Sequence, residues 1–488
     1  MIRTGAEYLE GLKDGREVYV DGERVRDVAS HPALAPIIAA KARMYDLHHE
    51  AASAQALTFS DADGTHSLLQ APPLTREDWQ KKWDGVDLVL RDLGGTVTRM
   101  GDETVGEMWS LADGRDVLAA IDPRFAGNID RHIREVVTRD PFHVSANTDP
   151  KGDRSRPVDQ RDPDMMIRVV RETDAGIIIR GAKFETAAAY ADQAFLKPTV
   201  GAWTDEKESQ HAVGCIVKMG APGVKHICRA SFATQGSAED HPIAARFDEV
   251  EALVVFDDVL IPWEDVFFYR YTRAAQFIRG TLHRYSAFPY VLRLLHNADA
   301  MIGAAMWNAR QTGLEKLQAV QEKLAELVCY REGIRAHLAA SIALSETSPA
   351  GFVMPNQSIL YAGRVLACSQ LPVAMHTARE LIGGQVCVTP DAAQFAGEAG
   401  DWLRKFYTLN DCWDAEDRRR LLAYARDLLT SGYAGHRLAF AQFAQAPHFS
   451  HLAAVYRSFD FEGPLDLVRQ AAKLSDRVTG KGNIGKAA

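Results

Sequence analysis

The sequence predicts an α+β protein in which a helical first region is followed by a β domain and then by a helical bundle. Three observations predict it. Apolar residues recur at three- and four-residue spacing up to about Asp140, short β-branched runs replace them between Pro141 and about Tyr269, and long amphipathic stretches return after Tyr271. The expected division is an N-terminal helical domain over 1–140, a β-barrel-like domain over 141–270 and a C-terminal helical bundle over 271–488.

In the first region, Pro36 to Asp46 and Val105 to Ile121 hold the helical period, and Pro-rich or polar stretches break it between helices. In the second, Met166 to Val170, Gly176 to Ile179, His211 to Lys218, Gly223 to Cys228 and Ala252 to Asp257 alternate or are β-branched. Gly, Pro and Asp interrupt them at short intervals, so a compact antiparallel β domain is expected. In the third, Ala298 to Gln311, Leu314 to Leu344, Asn356 to Leu381, Ala415 to Ser431 and Leu465 to Val478 have the period of long helices.

Composition narrows the function classes. The 488 residues are 47% hydrophobic and 25% charged, enough for a large core. The 56 Lys and Arg against 65 Asp and Glu leave a net charge of -9, with the basic residues dispersed instead of gathered into a phosphate-binding patch, so nucleic acid is not an expected partner. Met1 to Tyr19 has no continuous apolar segment behind positive charge, and no apolar run reaches the roughly eighteen residues of a membrane span. A cytoplasmic location is expected. The six cysteines (Cys215, Cys228, Cys329, Cys368, Cys387 and Cys412) form no CxxC pair, and the histidines show no HExxH or HxxxH spacing, so no metal is expected.

The segment Asp240 to Phe267, DHPIAARFDEVEALVVFDDVLIPWEDVF, closely resembles the DHPLSSRxDExDxxVxFDxVxIPWExVF signature of the 4-hydroxyphenylacetate 3-hydroxylase family. Read physically, Val254 to Phe256 is a buried strand, Asp257 and Asp258 are a turn, and Pro262 with Trp263 packs the exit from the β domain. Thr4 to Pro32 and Glu172 to Asp192 are similar to further segments of that family, and the similarity spans almost the whole chain. The resemblance implies an acyl-CoA dehydrogenase-like fold, a homotetramer, and FAD taken in its reduced form from a separate flavin reductase. It implies the oxygenase component of a two-component monooxygenase, in which reduced flavin and molecular oxygen form a C4a-hydroperoxide that hydroxylates a phenolic or related heteroaromatic ring. No GxGxxG follows a strand and opens a helix, in keeping with flavin reduced elsewhere.

The same resemblance assigns residues. His143, in PFHVSANTDPKGDRSRP, matches the histidine that hydrogen-bonds the substrate hydroxyl and helps draw off its proton. Arg99, in RMGDE, matches the arginine of an RSPDY or RTPDV segment and could hold an anionic or phenolate oxygen. Either Asp102 or Glu103 stands opposite it, and either register removes the family's tyrosine, which puts hydroxyphenylacetate itself in doubt as substrate. Glu103 has two possible outcomes: neutralisation by Arg99, or contact with a nitrogen-bearing, donor-rich ring, which is slightly favoured. Thr199 and Val200 are further substrate-binding positions. For the flavin, Lys151, Gly152, Asp153 and Arg154 match the family's loop, with Ser145 beside it, and Thr186 matches a threonine near flavin N5. Pro447, His448 and Phe449, in QAPHF, replace a GDPVR-like loop whose arginine is lost. Gly383 and Gly384 either approach a neighbouring subunit's cofactor or cap a helix. The competing readings are an acyl-CoA dehydrogenase-like flavoenzyme and a non-catalytic flavin-binding subunit. A hydroxybutyryl-CoA dehydratase would need cysteines in the first half of the chain, where the earliest is Cys215.

Overall fold

The computed structural model describes residues 2–95, 97–146, 148–153, 155–157, 160–198, 206–443 and 446–474. Strands β1 (Glu17–Val20), β2 (Glu23–Val25), β3 (Thr58–Asp61) and β4 (Gly64–Ser67) punctuate the first region, whose main helices are Ala35–Asp46, Arg76–Leu93, Asp102–Asp113 and Pro123–Arg139. Then come β5 (His143–Ala146), β6 (Arg168–Thr173), β7 (Gly176–Thr186), β8 (Gln193–Leu196), β9 (Val213–Lys218), β10 (Val224–Cys228), β11 (Glu251–Pro262) and β12 (Val266–Tyr269). The last region packs the helices His283–Gln311, Gln318–Ala343 and Gln357–Ile382 against one another, followed by Ala415–Leu429, Gly432–Phe443, His448–Ser458 and Glu462–Ala472.

The strands form two main sheets, ordered β2-β1-β10-β11-β7-β6 and β12-β9-β8-β5. Most neighbours are antiparallel; β1–β10 and β5–β8 are parallel. The first sheet therefore borrows two strands from the region expected to be helical. Val18 and Val20 alternate with half-exposed Glu17 and Tyr19, a strand pattern too short to rival the helices around it. The signature's two aspartates also differ from expectation. Asp257 and Asp258 form a bulge inside β11, where the register against β7 shifts between Phe256 and Val259, Asp258 takes a φ of 53°, and Arg180 binds its carboxylate at 2.7 Å.

The long helix starting at His283 runs through Pro289, earlier than the sequence pattern indicates. Residues 285–295 are all buried, so there is no polar face to give an amphipathic period. Its Arg293 reaches back to the first region.

Buried carboxylates within the signature and packed against it join the three regions. Asp427 accepts the backbone N–H groups of Ile243 and Ala244 at 2.8 and 2.6 Å, and Asp240 accepts that of Ala392 at 2.9 Å. Glu249, 1% exposed, accepts the backbone N–H of Thr98 at 2.8 Å and of Arg99 at 2.7 Å, and also binds the Thr98 hydroxyl. Lys41 and Arg437, from opposite ends of the chain, each lie 3.6 Å from it. Burial alone would raise its carboxyl; these two cations and the Thr98 and Arg99 donors outweigh burial and hold it below its usual value.

Truncating Glu249 leaves two backbone donors and two buried cations without their acceptor. Glu249→Ala should lower unfolding stability by about 3–5 kcal/mol, whereas Asp257→Ala, which removes a solvent-exposed pair to Lys225, should stay within about 0.5 kcal/mol. Urea denaturation of both variants checks the contrast, and equal effects would remove Glu249 from its central place.

Candidate active site

The helix Asp102–Asp113 opens on Gly101, whose φ of 95° is left-handed and whose missing Cβ would meet the Gln70 amide at 3.3 Å. Four-residue spacing brings Glu103 and Glu107 to one face of the helix, Arg99 reaches Glu103 from the segment just before it, and this helix packs against β5. Glu103, not Asp102, takes the arginine. The Arg99 guanidinium is ion-paired with Glu103 Oε2, while Glu103 Oε1 is buried without a hydrogen-bond partner. One oxygen thus answers the first expectation for Glu103, and the other stays open to the second. Asp102 turns to another partner: both its oxygens accept from Arg293 Nη2, at 2.8 and 2.7 Å, so it joins this helix to the one starting at His283.

One turn further, Glu107 is ion-paired with Lys197, the residue after β8. Ser145 on β5 donates to the Glu107 carboxylate at 2.5 Å and accepts from Lys197 at 2.6 Å. Ser145, expected beside the flavin, is thus part of this polar network. Lys183 Nζ lies 2.6 Å from Asp149 and donates to the Lys197 carbonyl at 2.9 Å. Two residues on, strand alternation turns Glu185 to the same side of β7. Glu185 is 5% exposed, its Oε1 has no hydrogen-bond partner, and its side chain makes no ion pair among the described residues.

Electrostatics follow burial. Burial pushes Glu185 up to about 8 against the pull of Arg99 and Lys197, and Glu103 up to about 7 against Arg99. Burial draws Lys197 down to about 8, with Glu107 opposing. It also draws Arg99 down, but Glu103, Glu185, Glu249 and Glu107 outweigh it and hold the guanidinium above its usual value. The two sequence-selected groups, Arg99 and Glu103, therefore sit among Glu107, Glu185 and Lys197, which sequence reading missed.

His143 is 1% exposed, and neither ring nitrogen has a hydrogen-bond partner. Its ring lies 5.4 Å from that of His132, which in turn lies 5.5 Å from Phe267. Burial, then His132, Lys218 and Lys197, depress it well below the usual histidine value, so it is neutral and offers a hydrogen-bond acceptor. A second polar group gathers at the start of the His283 helix. His283 and His451 are both depressed, first by burial and then by Arg364, and His283 also by Lys197 and His451. Neither His451 nitrogen has a hydrogen-bond partner.

The residues expected at the flavin are spread over three elements. Lys151, Gly152 and Asp153 lie in an exposed loop after β5, with Asp153 accepting from Ser155 and Gly152 at a φ of 55°. Thr186 is buried at the end of β7, directly before the left-handed Ala187. Pro447 precedes the helix His448–Ser458, and Phe449 is 71% exposed. Arg154, Thr199 and Val200 lie outside the described residues. Gly383 takes a φ of 78° as the C-cap of Gln357–Ile382, the capping role.

Two family profiles match the chain: 4-hydroxyphenylacetate 3-hydroxylase N terminal over residues 4–268, and its C terminal counterpart over residues 272–473. The chain is 27% identical to the 4-hydroxyphenylacetate 3-monooxygenase oxygenase component of Thermus thermophilus, over 98% of this chain and 99% of that protein. It is 32% identical to the pyoverdin chromophore biosynthetic protein PvcC of Pseudomonas aeruginosa, over 83% and 82%. A crystal structure of the oxygenase component of 4-hydroxyphenylacetate 3-monooxygenase complexed with FAD superposes with a TM-score of 0.90 at 27% identity, covering 98% of this chain and 99% of the other. An archaeal 4-hydroxybutyryl-CoA dehydratase from N. maritimus shares the fold, with a TM-score of 0.88 at 23% identity over 97% and 96%.

A carboxyl raised in the folded state favours folding below its unfolded value and loses that contribution as pH climbs through the folded one. For Glu185 the window runs from the ordinary 4.5 to about 8. The melting temperature of Glu185→Gln relative to the wild type should therefore rise between those pH values and level off above them. A difference constant across that range would mean that Glu185 is ionised in the fold.

Proposed function

Because the chain belongs to the 4-hydroxyphenylacetate 3-hydroxylase family, we propose that it is the oxygenase component of a two-component monooxygenase that hydroxylates a small aromatic ring with reduced FAD and molecular oxygen. The observation that carries this reading is the buried Arg99–Glu103 pair beside the Lys197–Glu107–Ser145 network, with a neutral histidine, His143, on the same strand as Ser145. Related proteins bear matching names, among them an FADH(2)-dependent monooxygenase from Burkholderia cepacia and a 4-nitrophenol 2-monooxygenase oxygenase component from Rhodococcus.

The residues present fit a reduced flavin. An electron-rich, acceptor-bearing ring needs donors and positive charge, and His283, His451, Arg364 and Lys197 supply both inside the protein. We assign Lys151, Gly152, Asp153, Arg154 and Thr186, with Pro447, His448 and Phe449, to holding it. When bound, it supplies the electrons that activate oxygen for transfer to the ring.

The chain's own groups do the rest. Arg99 holds the ring oxygen as its negative charge grows, and the surrounding low dielectric strengthens that attraction. His143, neutral and with free ring nitrogens, accepts a hydrogen bond from the ring hydroxyl and so helps draw off its proton as the ring becomes nucleophilic. Burial of these groups keeps water from competing for the activated oxygen.

A separate flavin reductase delivers the reduced cofactor, in the cytoplasm. The assembly is a homotetramer: Phe449, Tyr456, Leu465, Leu467 and Val468 on the last two helices are exposed by 71, 63, 59, 71 and 55%, an apolar surface suited to cover by other copies of the chain. No described helix is long and apolar enough to cross a membrane.

With an independent reductase and oxygen, a screen of phenols and aza-aromatic compounds should yield a product heavier by one oxygen, while the pure chain alone should leave NADH unoxidised. In His143→Ala, coupled product should fall by about 100-fold while reduced flavin still consumes oxygen and releases peroxide. Unchanged product per flavin in that variant would make His143 structural, and no oxygen gain with any ring would reject the monooxygenase reading.

A further inference from the structure

Counting charges inside the site leaves one carboxyl over. Arg99 pairs with Glu103, Lys197 with Glu107, and Lys183 with Asp149. Glu185 is the remainder. Among the described residues its side chain makes no ion pair, and it lies 5% exposed with Oε1 lacking a hydrogen-bond partner. Glu103 adds a second buried oxygen of the same kind, at 6% exposure. Both act on the same guanidinium, Arg99, so they belong to one electrostatic unit. A buried acceptor without a donor costs the protein its desolvation energy unless a ligand brings the donor.

We propose that the substrate of this site carries a protonated amine beside its aromatic ring, and that Glu185, with the free oxygen of Glu103, is the counter-charge that selects it. The inference rests on the hydroxylase reading above and names the class of ring. An anionic side chain is disfavoured, because it brings no donor for the free carboxyl oxygens and finds Arg99, Lys197 and Lys183 already paired with Glu103, Glu107 and Asp149. A neutral one leaves Glu185 as it is. A cation supplies N–H donors to a free carboxyl oxygen and converts Glu185 from a buried acid into a paired carboxylate.

That conversion has a measurable sign. Glu185 faces Arg99 before the Asp102–Asp113 helix, Glu107 on that helix, Lys197 after β8 and Lys183 on its own strand. With these groups in place burial keeps it at about 8, so at pH 7 it is mainly protonated before the ligand arrives. An ammonium beside it lowers that value, and the carboxyl releases its proton to solvent. The bond broken is the Glu185 O–H; the charge gained is balanced by the ligand's own.

Three probes share one phenol ring and differ only in side-chain charge: 4-(2-aminoethyl)phenol, 4-ethylphenol and 4-hydroxyphenylacetate. Each is titrated calorimetrically under argon at pH 7 into the chain loaded with reduced FAD, in two buffers of different ionisation enthalpy. The amine should bind at least about tenfold more tightly than the acid and release close to one proton, with 4-ethylphenol between them. In Glu185→Gln, checked for folding by circular dichroism, the three affinities should converge to within about threefold and the proton release should vanish. If that variant does not fold, the wild-type rank order and proton count decide alone. Hydroxyphenylacetate binding as tightly as the amine, or an amine preference that survives in folded Glu185→Gln, overturns the proposal. Product mass separates the two readings. Oxygen gained by tightly bound hydroxyphenylacetate would keep the monooxygenase and sink the amine; the predicted binding order with no oxygen gained by any phenol would do the reverse.

Discussion

The site hangs on a single buried carboxylate. Glu249 takes the backbone N–H groups of Thr98 and Arg99, and so fixes where the chain stands just before the helix that carries Glu103 and Glu107. Taking a carboxylate out of water costs several kcal/mol, and only excellent pairing offsets it. Here that pairing comes from Lys41 in the first region and Arg437 near the other end of the chain. Three distant stretches of sequence must therefore be in place before Arg99 can point anywhere definite. This gives the signature segment a physical meaning: two of its acidic residues, Asp240 and Glu249, are joints between regions, placed one layer behind the chemistry.

The layer in front uses the same principle with a different outcome. Arg99 with Glu103, Lys197 with Glu107 and Lys183 with Asp149 are pairs inside the protein, where attraction is far less screened than on the surface. Each cation is tied to one carboxylate, and Ser145 stitches two of the partners together. The histidines go the other way. Burial and neighbouring cations keep His132 and His143 uncharged, so the interior combines fixed charges with neutral bases.

The regular parts of this architecture were legible in the sequence because they alternate between core and solvent. Ala35–Asp46, Gln318–Ala343 and Gln357–Ile382 lie within a residue or a few of their expected ends. β8 was not legible: Gln193–Leu196 is buried on both faces, so nothing alternates. The site divides the same way. Arg99 and His143 stood out through motifs, and the four-residue spacing of Arg99 and Glu103 decides a register that matching had left open. Glu107 carried a weaker signal, as a lone carboxylate in the largely apolar stretch VGEMWSLA four residues past Glu103. Lys183 and Glu185 could have been suspected as charges at alternate positions of a strand that begins GIII. The partner of Asp102, Arg293, was not legible, because only the packing of a distant helix brings it there.

The parallel pairing of β1 with β10 bears on how the chain is made. Glu17 lies beside Lys225, so two strands of the first region sit at an edge whose neighbour is synthesised on the order of two hundred residues after them. During that interval the β1–β2 ribbon has no sheet to join, and a two-stranded ribbon is marginal in water. The first region's two strands therefore cannot complete their pairing on the ribosome before β10 is made. Completion of that edge waits on synthesis of the β domain, and until then the nascent chain carries an open strand edge, a target for chaperones or for mispairing.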